Sequence, residues 1–132
     1  MDGLDTGFFF ELAAGDDEAK DVWREIAEED RQAAVSSISL FELMRQGLRG
    51  QLYPEFVSKI VESSGVAFFQ AGVDEQQVLN RASRIAHGMG LAMADALIAA
   101  SLEEIDCDTL HTGDTDFRSY DGPIEVVFIG RE

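Results

Sequence analysis

The sequence predicts an α/β fold in which a parallel sheet is covered on both faces by helices. Three observations carry this expectation. Short apolar runs of strand length alternate with longer segments of helical period. Strands separated by helices pair in parallel, and their sheet needs cover on both sides. The 132 residues are 45% apolar, which suits one domain over 1–132.

The elements follow in order. Met1 to Leu4 is a first short strand that ends at Asp5. Thr6 can cap a helix through Phe8, Phe9, Phe10, Leu12 and Ala13, stopped by Gly15. Asp16 and Asp17 open the next helix, with Val22, Trp23, Ile26 and Ala27 on one face. Ala33 to Ser36 is a strand, and Ser39 begins a helix that runs to Gly50. Pro54 sits in the first turn of another helix, with Phe56, Val57, Ile60 and Val61 inward. Val66 to Phe69, bounded by Gly65 and Gly72, is the third strand. Asp74 caps a helix that Gly88 and Gly90 break. Leu91 to Leu102 is apolar nearly all round, so it is a buried helix. Thr109 to His111 is a strand, Gly113 to Phe117 a turn or short helical piece, and Glu125 to Ile129 the last strand.

Composition narrows the function. No apolar run reaches the length of a spanning helix, so no membrane is involved. The N-terminus lacks a basic segment followed by an apolar one, which points to a cytoplasmic protein. Cys107 is alone, excluding an internal disulfide and the usual cysteine zinc site. The net charge of −16 repels nucleic acid in dilute buffer. It serves either one basic partner or a halophilic protein working in high salt, where screening makes a carboxylate-coated surface tolerable. The acids are spread along the whole chain, which favours salt adaptation.

Some acids do not belong on a surface. Asp95 has Leu91, Ala92, Ile98 and Ala99 as its helical neighbours, so it needs a cation, a donor or a proton. As a first-turn residue it can also be satisfied by helix N–H groups. Asp5 stands where the first strand meets the first helix, the place of an N-cap or of a ligand beyond the strand ends. Glu42 follows Ser39 at capping-box spacing, yet it points toward the same edge. Asp114 and Asp116 flank Thr115 after a strand; an Asx-turn explains one of them, and both together suit a cation site. Carboxylates that converge on one cleft need a counter-charge, and all-oxygen ligation suits Mg²⁺ or Mn²⁺. Such an ion assists attack of water on a phosphodiester.

Basic and aromatic residues have two readings each. Arg45 and Arg49, or Arg81, Arg84 and His87, can grip phosphates or simply cover solvated helix faces. His111 reads as a strand-end surface histidine. Trp23 and the Phe8–Phe10 run fill the core or a dimer interface, with base stacking as the alternative.

At these residues the chain resembles the PIN-domain nucleases, and among them the VapC-type ribonuclease toxins. Asp5-Thr6-Gly7 is similar to the family's opening Asp-Thr/Ser. Ser39-Leu40-Phe41-Glu42-Leu43 is similar to its Thr/Ser-x-x-Glu-Leu helix start. Asp95-Ala96-Leu97-Ile98-Ala99-Ala100 is very close to its Asp-Ala-Leu-Ile-Ala-Ala block, and Thr112-Gly113-Asp114-Thr115-Asp116-Phe117 to its closing motif. The motifs span essentially the whole chain. Asp2 and Gly3 depart from the pattern, standing where the family has an apolar run.

The resemblance implies a three-layer α/β/α sandwich with a five-stranded parallel sheet, and Mg²⁺- or Mn²⁺-dependent cleavage of RNA. Asp5, Glu42, Asp95 and Asp114 would hold the metal, with Asp116 as ligand or close neighbour. Thr112 would orient a carboxylate or a metal-bound water, with Thr6 beside the ligands. It further implies a cognate antitoxin that blocks the cleft with a basic side chain, and a homodimer. The rival expectations are an RNA-processing nuclease without an antitoxin and a non-catalytic PIN-like interaction module.

Overall fold

The computed structural model describes residues 1–28, 30–63, 66–69 and 75–130. The chain order is β1 (Asp2–Leu4), α1 (Thr6–Ala13), α2 (Asp17–Ala27), β2 (Ala33–Ser36), α3 (Ser37–Leu48) and α4 (Pro54–Glu62). Then come β3 (Val66–Phe69), α5 (Glu75–Met89), α6 (Met93–Glu104), β4 (Thr109–Thr112), a 3-10 turn (Thr115–Ser119) and β5 (Glu125–Phe128). The strands form one parallel sheet in the order β3-β2-β1-β4-β5. Gly65, Gly72 and Asp74, expected to bound β3 and to cap the following helix, lie outside the described residues.

Alternation along β1, β2 and β4 sends side chains to two cores. Ala34 and Leu110 face α5 and α6, packing with Val78, Ala82, Ile85, Ala99 and Leu102. Leu4, Ala33 and Val35 face the other way, toward Phe8, Phe9, Ile26, Leu43 and Ile60. Helices therefore cover both sides of the sheet. Among the described residues no helix is long and apolar enough to cross a membrane.

The departure at β1 has a packing reason. Gly3 lies under α6, where a Cβ would stand 2.8 Å from Leu102 Cδ1. Asp2 is held by Arg31 at 3.2 Å and by His111 Nε2 at 3.2 Å. His111 is thus buried, 7% exposed, and not the surface residue expected from its place at a strand end.

Several boundaries differ from expectation. The cap of α1 is Asp5, not Thr6: the Phe8 N–H donates to Asp5 Oδ1 at 2.9 Å. The cap of α3 is Ser36, whose Oγ accepts from the Ile38 N–H at 3.1 Å. Ser39 is a buried helical residue, so the Ser39–Glu42 capping box does not form. Gly88 lies inside α5; the helix ends before Gly90, whose φ of +73° is the left-handed conformation that terminates helices. The buried helix α6 starts at Met93 rather than Leu91, because Ala92 is still extended.

Candidate metal centre

The carboxyl ends of β1, β2 and β4 lie side by side, since Leu4 pairs with both Val35 and His111. One residue further on stand Asp5, Ser36 and Thr112. Asp5 is 2% exposed. Besides the Phe8 amide, it accepts a hydrogen bond from the Thr112 hydroxyl at 2.6 Å on Oδ2. Thr112 Oγ1 in turn accepts the Asp114 N–H at 2.9 Å. This relay fixes the first carboxylate to the loop that carries the next. Burial pushes the Asp5 carboxyl up to about 7; the Thr112 and Phe8 bonds oppose the rise, and the charges of Asp114 and Asp95 add to it.

Glu42 projects from α3 and accepts the Thr6 hydroxyl at 2.6 Å, which ties α3 to the first turn of α1. Asp95 is in the first turn of α6, half-buried, with no side-chain hydrogen bond among the described residues. Burial, with repulsion from Asp114, Asp116 and Glu42, raises its carboxyl to about 6. Asp114 caps the 3-10 turn, its Oδ1 accepting the Asp116 N–H at 2.8 Å.

Asp95, Asp114 and Asp116 each offer a carboxylate oxygen within 4.8 Å of the others, close enough to share one ion. Asp5 and Glu42 lie outside that trio but line the same cleft, of about 370 Å³, as Asp95 and Asp114. The donor set is carboxylate only, and burial together with mutual repulsion raises two of its members, Asp5 and Asp95, well above the usual carboxylate range. Both facts fit a hard divalent cation such as Mg²⁺ or Mn²⁺.

Of the basic candidates, Arg45 lines the cleft. Arg49, the C-cap of α3, does not. Arg81 is engaged with Glu103 at 3.7 Å and Glu104 at 3.5 Å; neither it nor Arg84 and His87 belongs to the cleft wall. Phe8 and Phe9 are core, and Trp23 packs on Phe9 with ring centroids 5.8 Å apart.

Sequence reasoning missed Gly7, Glu11, Gln46, Ile98 and Gly113 as cleft residues. At Gly7 a Cβ would stand 3.0 Å from the Asp114 nitrogen, so the glycine lets α1 abut the Asp114 loop. The Glu11 Cγ lies 2.6 Å from where Gly113 would carry a Cβ, so the glycine makes room for that side chain. Helical spacing held the signal for Gln46: it is four residues beyond Glu42.

The PIN domain family matches residues 4–123. No curated protein matches the chain. The fold is similar to a toxin–antitoxin complex from Klebsiella pneumoniae, with a TM-score of 0.69 at 22% identity, covering 95% of this chain and 99% of that one. It is similar to VapBC2 from Rickettsia felis bound to a DNA fragment of its promoter, at TM-score 0.73 and 18% identity, covering 98% of each chain. It is also similar to VapC20 from Mycobacterium tuberculosis, a toxin that cleaves the sarcin-ricin loop, at TM-score 0.67 and 22% identity, covering 90% of this chain and 94% of that one. With sheet order, acidic cleft and a match over nearly its whole length in agreement, the chain belongs to the PIN-domain family.

Proposed function

We propose that this single-domain protein is a Mg²⁺- or Mn²⁺-dependent endoribonuclease of the cytoplasm, and the toxin of a VapBC-type pair. The observation that carries the reading is the trio Asp95, Asp114 and Asp116 within 4.8 Å, beside the cleft that Asp5 and Glu42 share. The Klebsiella and Rickettsia structures are toxin–antitoxin assemblies, and the Mycobacterium toxin cleaves RNA. These likenesses support the toxin reading and an antitoxin as partner. An exposed apolar stripe on α3 (Phe41, Met44 and Leu48) supports a protein partner as well, because such patches mark interaction surfaces. Pairing of two copies belongs to the same reading.

Asp5, Glu42, Asp95, Asp114 and Asp116 would hold the ion, and carboxylate oxygens of the last three lie within 4.8 Å of one another. When bound, the ion offsets charge on the phosphate and lowers the pKa of the attacking water. Thr6 fixes the Glu42 carboxylate and Thr112 fixes that of Asp5, so two of the acids are oriented before substrate arrives. Without the ion, burial keeps the Asp5 and Asp95 carboxyls up at about 7 and about 6, and a bound cation would favour their charged, ligating form. Arg45, on the cleft wall, holds a substrate phosphate.

The test is cleavage of RNA in Mn²⁺ by the wild type and by Asp95→Asn. The expected loss is about 100-fold or more. Equal cutting by both proteins removes the site assignment. No cutting by either, across RNAs of varied structure, favours the interaction module.

A further inference from the structure

The Thr6–Glu42 hydrogen bond of 2.6 Å fastens the first turn of α1 to the second turn of α3, and both residues line the cleft. Both helices leave the same sheet edge. Phe10 lies four residues beyond Thr6, and Gln46 four beyond Glu42, so each stands about 6 Å further out along its helix. Phe10, Arg45 and Gln46 all line the cleft that holds the carboxylates.

Each of the three keeps an unused capacity. Phe8 and Phe9 are fully buried, while Phe10 is 37% exposed, leaving part of an aromatic ring open. No hydrogen bond among the described residues engages the Gln46 side chain. No ion pair among them engages Arg45, although the chain carries a net charge of −16. A π face, an amide with both donor and acceptor, and a guanidinium are what a nucleotide engages with its base plane, base edge and phosphate.

We propose that Phe10 and Gln46, together with Arg45, form a nucleotide subsite one helical turn out from the carboxylates. Phe10 stacks on the base beside the scissile phosphate, Gln46 hydrogen-bonds its edge, and Arg45 holds the phosphate. The inference rests on the nuclease reading and deepens it. A base can reach Phe10 only when it is unstacked, so the substrate is single-stranded or looped RNA rather than duplex. The acidic surface sharpens the requirement: with little general attraction for a polyanion, stacking supplies much of the affinity. The apolar surface suited to a protein lies elsewhere on α3, where Met44, Gly47 and Leu48 line a separate groove with Pro54 and Val57.

The probes are a labelled single-stranded RNA with a randomised central stretch and a fully paired hairpin stem of matched length. In cleavage, Phe10→Ala is expected to raise KM by about 5- to 100-fold with kcat little changed, and Phe10→Trp to restore it. Gln46→Ala is expected to alter which base adjoins the cut, and the stem is expected to be cut poorly. In binding, Phe10→Ala placed on Asp95→Asn is expected to lower affinity for the single strand by a similar factor relative to Asp95→Asn alone. Unchanged KM, cut-site preference and binding would overturn the subsite. So would a Phe10→Ala protein that changes only its assembly with other chains. A wild type that never cuts, but whose RNA binding still depends on Phe10, sinks the nuclease reading and leaves the subsite standing.

Discussion

The Ser39 hydroxyl is fully buried in α3 and finds no hydrogen-bond partner among the described residues. An unsatisfied buried hydroxyl opposes folding, so Ser39→Ala should stabilise the protein by about 1 kcal/mol, read as a higher midpoint in urea at unchanged m. The acids of the cleft work in another direction. The Asp5 and Asp95 carboxyls titrate near 7 and 6, above the usual 3.8. The folded state therefore holds protons that the unfolded chain has already released. Their contribution to stability is whole below the unfolded value and is lost as pH rises through the folded ones. Metal-free protein should melt at progressively lower temperature between about pH 4 and 7, with a shallower fall in Asp95→Asn. Parallel slopes for the two proteins would contradict the burial of that charge. Asp95 was legible in the sequence, because a carboxylate among Leu91, Ala92, Ile98 and Ala99 has nowhere polar to go. Glu11 was not, because a polar residue on a helix faces solvent by default, and Gln46 showed only through its spacing of four from Glu42. The docking of α1 beside α3 places both on the cleft wall.

Strands and helices differ in how far local pattern fixes them. β2 and β3 fall where the apolar runs place them, and Pro54 opens α4 as its missing N–H allows. Helix starts were harder, since Ser36 and Ser39 have the same capping chemistry and only the position of β2 decides between them. Removing the actual cap, Ser36→Ala, should destabilise by about 1 kcal/mol in thermal or chemical unfolding. The first strand depends on long-range packing. Gly3 is set against Leu102, itself fully buried, so Gly3→Ala forces a core side chain to move. The expected loss is about 1–3 kcal/mol in the same measurement. Nothing near Gly3 in sequence announces this, because Leu102 arrives from the far end of α6.

For the molecule as a whole, charge is the dominant variable. Among the described residues Arg24, Arg31 and Arg81 pair with acids, and most of the 26 carboxylates repel one another across solvent. Screening relieves that repulsion, so the melting temperature should rise from dilute buffer to molar KCl. A flat response would remove the salt-adaptation reading. The layered parallel fold was legible from alternating runs alone. The grouping of the acids was legible only as an expectation about one sheet edge, since distances between side chains depend on how the helices dock.

The bond from Thr112 to Asp5 joins positions 107 apart. On a ribosome the early segments emerge first, and β4 must slot in beside β1 before the acids can meet. A nascent polypeptide therefore cannot gather Asp5, Asp95 and Asp114 into one cleft until β4 has been made, and a copy truncated before β4 never does. The acidic cleft closes only once both ends of the Thr112–Asp5 bond are present.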